Sequence, residues 1–162
     1  MAHFEATTST AGVLSAADKQ IIDDLSGAGT VLSIVWFHLL PQPASSGTPA
    51  NAQEGSPSYA AKARFIFNFD RLNIPNTTLS GKIYARAYLG SAGSGDVRLY
   101  NVTDATELGV INYTETSATT KEATLSSIPT SGTKIIEVQV RKASGPGNTI
   151  VETASCDFLL SS

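Results

Sequence analysis

Side chains able to do acid–base, nucleophilic or metal chemistry are few in this sequence, and they are scattered. His3 and His38 stand in an N-terminal arm and in a strand segment, and neither has an acidic or histidine partner at metal-ligand spacing. Asp18, Asp23 and Asp24 share one short helical segment, where they complement the helix dipole and keep a face solvated; paired acid/base work needs a cleft as well. Gly90-Ser-Ala-Gly-Ser-Gly95 has the glycine spacing of a phosphate loop but joins two strands, so its glycines serve a turn. No serine occupies a Gly-x-Ser-x-Gly elbow. Cys156 is the single cysteine, which excludes an intrachain disulfide and a cysteine-based metal knuckle, and it reads as a small buried hydrophobe. The expectation is a protein that is not an enzyme, with no catalytic or metal-binding residue and no cofactor.

A recognition role leaves different marks. Tyr84, Tyr88 and Tyr100 alternate outward with Arg86 and Arg98 on what read as neighbouring strands. Exposed aromatics beside arginine are typical of recognition surfaces, here a candidate face for a glycan. The same residues also fit cross-strand pairs that stabilise a solvent-facing sheet, or a contact between subunits. Asn76-Thr-Thr, Asn101-Val-Thr and Asn112-Tyr-Thr match the glycosylation acceptor pattern, as a Thr-rich chain does by coincidence.

The elements that must position these residues are mostly strands. Residues 1 to 13 are polar, Thr-rich and without period, which predicts an arm that is extended or ordered only by a partner. Ser15 with Asp18 forms a Ser-x-x-Asp variant of the capping box, Gly27 supplies a stop, and Ala17, Ile21 and Leu25, with Ile22 beside them, make one narrow apolar stripe. A short helix is expected there. From residue 31 the pattern changes to strand-like runs at about 31 to 40, 62 to 69, 80 to 89, 96 to 101, 107 to 113, 121 to 126, 133 to 142 and 149 to 160, separated by turn formers. Inward sets are clear: Phe65, Phe67 and Phe69; Ile83, Ala85, Ala87 and Leu89; Ile136, Val138 and Val140; Ala154, Cys156, Phe158 and Leu160. Residues 41 to 58, with four prolines, read as one long loop. The fold class is therefore all-β: a jelly-roll-like antiparallel β-sandwich of about eight strands behind an extended arm and one short helix. Two units follow, an N-terminal segment over 1–27 and a sandwich domain over 28–162.

Charge narrows the partners. A net charge of −3 and a pI near 5.3, with no Lys/Arg cluster, give nothing to track a nucleic-acid backbone. Charged residues are 15% of the chain against roughly 25% in an ordinary soluble domain, so much of the surface is Ser, Thr, Asn and Gly. The longest apolar run, Val31 to Leu40, is about half the length of a membrane-spanning helix and carries Ser33 and His38. Neither nucleic acid nor membrane is expected as a partner. The first ten residues have no positive start and no apolar h-region, so no secretory signal is expected and the chain reads as made in the cytoplasm.

Thr10-Ala-Gly-Val-Leu-Ser-Ala-Ala-Asp-Lys-Gln-Ile-Ile-Asp-Asp-Leu-Ser-Gly27 resembles a motif found repeatedly in fibre, spike and head-fibre proteins of tailed phages, of the form Thr-x-Gly-(Leu/Val)-(Met/Leu)-Ser-x-x-Asp-Lys. Gly12, Leu14, Ser15, Asp18, Lys19, Ile22 and Leu25 fall in place, and Ile-Asp-Asp stands where the commoner form reads Leu-Asp-Gly. The resemblance implies a structural protein of the virion, assembled onto the particle as a capsid decoration or head-fibre protein. Its contacts with virion and self would then come from Gly12, Leu14, Ser15, Asp18, Lys19, Ile21, Ile22 and Leu25. In that family the motif belongs to trimeric elements, which implies a homotrimer attached to the major capsid protein or another virion protein. The alternative is a tail-fibre tip or adaptor binding a host cell-surface glycan.

Overall fold

The structure is a computed structural model; it describes residues 31–40 and 52–161, with the backbone alone at 31–34, 36 and 38–40. The expected helix after Ser15, the whole 1–27 segment with its eight contact residues, and the boundary at 28 lie outside the described residues.

The described residues form nine strands: β1 (Val31–Leu40), β2 (Ala52–Glu54), β3 (Ala60–Asn68), β4 (Thr78–Leu89), β5 (Ser94–Asn101), β6 (Thr106–Tyr113), β7 (Thr119–Thr124), β8 (Thr133–Ser144) and β9 (Thr149–Ser161). The period-2 pattern marks β3, β4, β8 and β9 most clearly, because a strand sends successive side chains to opposite faces. β4 buries Ile83, Ala85, Ala87 and Leu89, while β9 buries Val151, Ala154, Cys156, Phe158 and Leu160.

Two sheets form, all pairs antiparallel. One runs β1-β9-β4-β7, with β2 also paired to β9; the other runs β3-β8-β5-β6. Strands consecutive in the chain therefore mostly lie in opposite sheets, and among the described residues β5–β6 is the only sequence-adjacent pair that forms a ladder. That order is a jelly roll, as the strand count and turn spacing predict.

Aromatic rings fill the space between the sheets. Phe37 stacks on Phe65 with centroids 4.2 Å apart, and Phe69 meets Phe158 edge-on at 5.1 Å. Tyr113 is fully buried, and its hydroxyl donates to the Ala85 carbonyl at 2.6 Å, so the ring joins the core without an orphaned polar group. Cys156 is fully buried, as its apolar strand neighbours predict.

Two local expectations are corrected. The 41 to 58 loop is interrupted by β2, which zips Ala52–Glu54 against Val151, Ile150 and Thr149; three residues are too few for alternation to show. The strand expected to reach residue 69 ends at Asn68, whose side chain accepts the Asp70 N–H at 3.0 Å and starts a 3₁₀ turn over Phe69–Leu72. Phe69 stays fully buried although it has left the ladder.

Candidate functional site

Alternation along β5 and β8 puts Asp96, Arg98 and Tyr100 on the same outer face as Ile135, Glu137, Gln139 and Arg141, and pairing with β3 and β6 adds Arg64, Glu107 and Asn112. In register, Arg64 lies beside Glu137 and Glu137 beside Tyr100; Gln139 lies beside Arg98, and Arg141 beside Asp96.

The centre of this face is a stack. The Arg98 guanidinium carbon lies 3.5 Å from the centroid of Tyr59 and 4.2 Å from that of Tyr100, and Arg141 lies 4.4 Å from Tyr59. Each contact combines cation–π attraction with burial of ring surface. Arg98 also donates twice to Gln139 Oε1, at 2.9 and 2.7 Å, and once to Glu107 at 3.2 Å. Its plane is thereby fixed, and only 17% of its side chain remains exposed.

Two carboxylates lie buried beneath. Asp96 accepts from Asn112 at 2.6 Å, from Arg141 Nε at 2.6 Å and from the Tyr59 hydroxyl at 3.3 Å. Glu137 accepts from Arg64 and from Gln139 Nε2, the latter at 2.7 Å. Burial alone would favour the neutral acid at Glu137, yet the Gln139 and Arg64 hydrogen bonds outweigh it and hold the carboxyl below its ordinary range. Burial, with the Asp96 charge beside it, pushes the Tyr59 hydroxyl up to about 12. Glu137 stays charged and the Tyr59 ring neutral at neutral pH, so the face offers a fixed pattern of rings and donors.

The five residues expected to form one face are divided between two. Arg98 and Tyr100 belong to this stack, whereas Tyr84, Arg86 and Tyr88 lie on the outer face of the other sheet, because β4 and β5 are joined by a crossing between sheets and not by a hairpin. There the Tyr84 hydroxyl donates to Asp157 at 3.0 Å, Arg86 pairs with Glu152 at 2.6 Å, and burial with the Asp157 bond pushes Tyr84 up to about 12. A shallow recess of about 190 Å³ beside Tyr84 is floored by Gly81 and Leu159.

Sequence reasoning missed Tyr59, Asp96, Glu137, Gln139 and Arg141 as members of a site. The outward positions on β8 were legible from the alternation of Glu137, Gln139 and Arg141, but which strand would lie beside them was not. Tyr59 precedes its strand and has no periodic signal. Among the described residues no group of three or more His, Cys, Asp or Glu is placed to hold a metal ion, and no helix is long and apolar enough to cross a membrane. His38 pairs in register with Ser155.

No protein-family model matches the chain, and no curated protein matches it. Among solved structures it is similar to one described as Carbohydrate-Binding Module CBM36 in complex with calcium and xylotriose, at a TM-score of 0.43 and 15% identity, covering 85% of this chain and 96% of that one.

Proposed function

We propose that the chain is a non-catalytic protein of a tailed-phage particle, a capsid decoration or head-fibre protein held as a homotrimer by residues 1–27 with its jelly roll displayed outward. Placement on the virion rests on the motif from Thr10 to Gly27. The display role is supported by one observation: the outward polar groups of β3-β8-β5-β6 satisfy one another, with Asp96 ion-paired to Arg141 and Glu137 to Arg64. A surface whose charges are already paired is rigid, and it recognises by shape and donor pattern. The test is mass spectrometry and immunogold labelling of purified particles of the encoding phage, using antibody against residues 52–161. Gold over the whole head is the expected result, and absence of the chain from purified particles overturns the proposal.

A second reading, a tail-fibre tip or adaptor that binds a host glycan, is favoured by the Tyr59–Arg98–Tyr100 stack. Aromatic side chains beside arginine on the outer face of a sheet suit sugars, whose apolar faces pack on rings and whose hydroxyls pair with polar groups around them. Gold confined to the tail end, with loss of host-cell binding in Arg98→Ala, selects this reading over the first.

A further inference from the structure

Apart from the short β2, the edge strands whose side chains are described throughout are β3 and β6, at the two sides of one sheet, and β7 in the other. An edge offers a row of unpaired N–H and C=O groups to any chain that can lie beside it, unless something blocks it. β6 is blocked: its Leu108 carbonyl accepts from the Ser126 N–H at 2.6 Å, and its Asn112 carbonyl from Lys121 Nζ at 2.9 Å. β7 carries Glu122 outward near its centre, so a second β7 would meet it with a like charge.

β3 differs from both. Its ladder with β8 runs on into the Phe69 N–H bond to the Gly132 carbonyl at 2.9 Å, so by alternation Phe65 and Phe67 turn their main-chain groups to β8, while Arg64 and Ile66 turn theirs to the open edge. Among the described residues nothing occupies them. Ile66 is 67% exposed and faces outward beside Ile135, its partner in register. Val102, whose N–H donates to the Ile135 carbonyl at 2.8 Å, is exposed as well. An apolar row therefore crosses the outer face from the end of β5 over β8 to β3 and stops at the unpaired edge.

We propose that β3 pairs antiparallel with β3 of a second copy about a two-fold axis at Ile66, joining the two four-stranded sheets into one. Ile66 then meets Ile66 of the second copy, the two exchange their edge hydrogen bonds, and the apolar row continues across the junction. Arg64 falls opposite Asn68, a neutral amide. The register selects a second copy as the occupant, because one short segment sets apolar against apolar and cation against amide when paired with itself. Other axes fit worse. One at Arg64 sets two guanidinium groups opposite each other, and one at Phe65 sets Arg64 against Ile66 and runs the pair into the irregularity between Ala61 and Ala63. So short a ladder persists best where copies are already concentrated. In the proposed trimer a two-fold contact joins copies of neighbouring trimers, and residues 1–27 keep the contacts proposed for them. The inference goes beyond virion placement and is tested on the isolated chain.

The test is disulfide cross-linking of the full-length protein with oxidised glutathione, read on non-reducing gels. Residues directly opposite in such a pair have Cα atoms about 5.5 Å apart, within disulfide reach, whereas Arg64 and its copy stand about 14 Å apart. Ile66→Cys should link to itself roughly tenfold faster than Ile74→Cys, which is exposed but lies in a loop. Arg64→Cys alone should stay unlinked, and an equal mixture of Arg64→Cys and Asn68→Cys should link. Cys156 is fully buried and stays out of the exchange. Equal rates for Ile66→Cys and Ile74→Cys, an unlinked mixture, or Arg64→Cys linking as fast as Ile66→Cys would each overturn the proposal. Failure of virion labelling would leave this result untouched.

Discussion

Gly95 of β5 and Thr149 of β9 face each other across the sandwich so closely that a Cβ on Gly95 would stand 1.9 Å from Thr149 Oγ1. Thr149 cannot simply turn away, because it is fully buried and its hydroxyl donates to the Arg141 carbonyl at 2.9 Å. Gly95→Ala should therefore destabilise by about 1–3 kcal/mol through overpacking. Adding Thr149→Ala removes Oγ1 and Cγ2 but leaves a Cβ at 2.9 Å, so the pair should cost less than the sum of the singles. Urea denaturation of the four proteins measures this, and strict additivity would show that the contact is not the cause.

Asp96 is buried on what is otherwise an outer, wet face, and Arg141 compensates its charge. Asp96→Asn keeps the shape but removes that charge and forces the Arg141 bonds to reorganise. Arg141 is 37% exposed and water takes up part of the loss, so the expected cost is about 1–3 kcal/mol, below that of breaking a fully buried pair. A chemical-denaturation midpoint unchanged from the parent would mean that Asp96 is not structurally coupled to Arg141.

The Cys156 thiol is fully buried, and burial with the neighbouring Asp157 charge pushes it up to about 12. Both access and thiolate formation are blocked in the folded state. Reaction with a disulfide reagent at pH 8 should proceed at the rate of opening and accelerate to that of a free thiol in denaturant. Immediate stoichiometric labelling of the native protein would place β9 elsewhere.

Acid should weaken the fold. Glu137 has its carboxyl held below the ordinary 4.5, burial opposing and the Gln139 and Arg64 bonds prevailing. Glu115 is lowered to about 2, chiefly by the Lys121 hydrogen bond. A carboxylate lowered in the folded state contributes stability that is complete above the unfolded value and is lost as pH falls through the folded one. The urea midpoint should decline from about pH 4.5 towards 2, and Glu137→Gln should flatten that decline. A midpoint that holds steady or rises on acidification would contradict the assignment.

Much of the fold was legible because inward and outward residues alternate so regularly in β4, β8 and β9; the eight long strands were all read near their true limits. Sheet membership was not legible. Consecutive strands pair or neighbour more often than not, and that expectation joined Tyr84 and Tyr88 to Arg98 and Tyr100, which the crossing from β4 to β5 separates. The stack was hidden for a related reason: Tyr59 reaches Arg98 and Asp96 over sequence separations that no local pattern reports, and Glu137 and Asp96 look like ordinary surface carboxylates until their covering side chains are placed.

The division of the tyrosines and arginines between two faces gives the sharpest functional test. If the Tyr59–Arg98–Tyr100 stack recognises a ligand, Arg98→Ala removes the group that orders both rings, and Tyr100→Ala removes one ring while leaving the sandwich core untouched. Either should lower binding to host cells or to an immobilised surface glycan by roughly tenfold or more, the scale of losing one well-packed anchor. Tyr88→Ala, on the outer face of the opposite sheet, should leave binding within about twofold, since nothing links it to the stack except the shared core. Tyr59→Phe separates stacking from hydrogen bonding: it keeps the ring over Arg98 and loses only the 3.3 Å bond to Asp96, so it should bind nearly as the parent. Equal losses from Tyr88→Ala and Tyr100→Ala would place recognition at a feature common to both sheets, such as the loops at one end, and the stack would then be a stabilising device of the sheet.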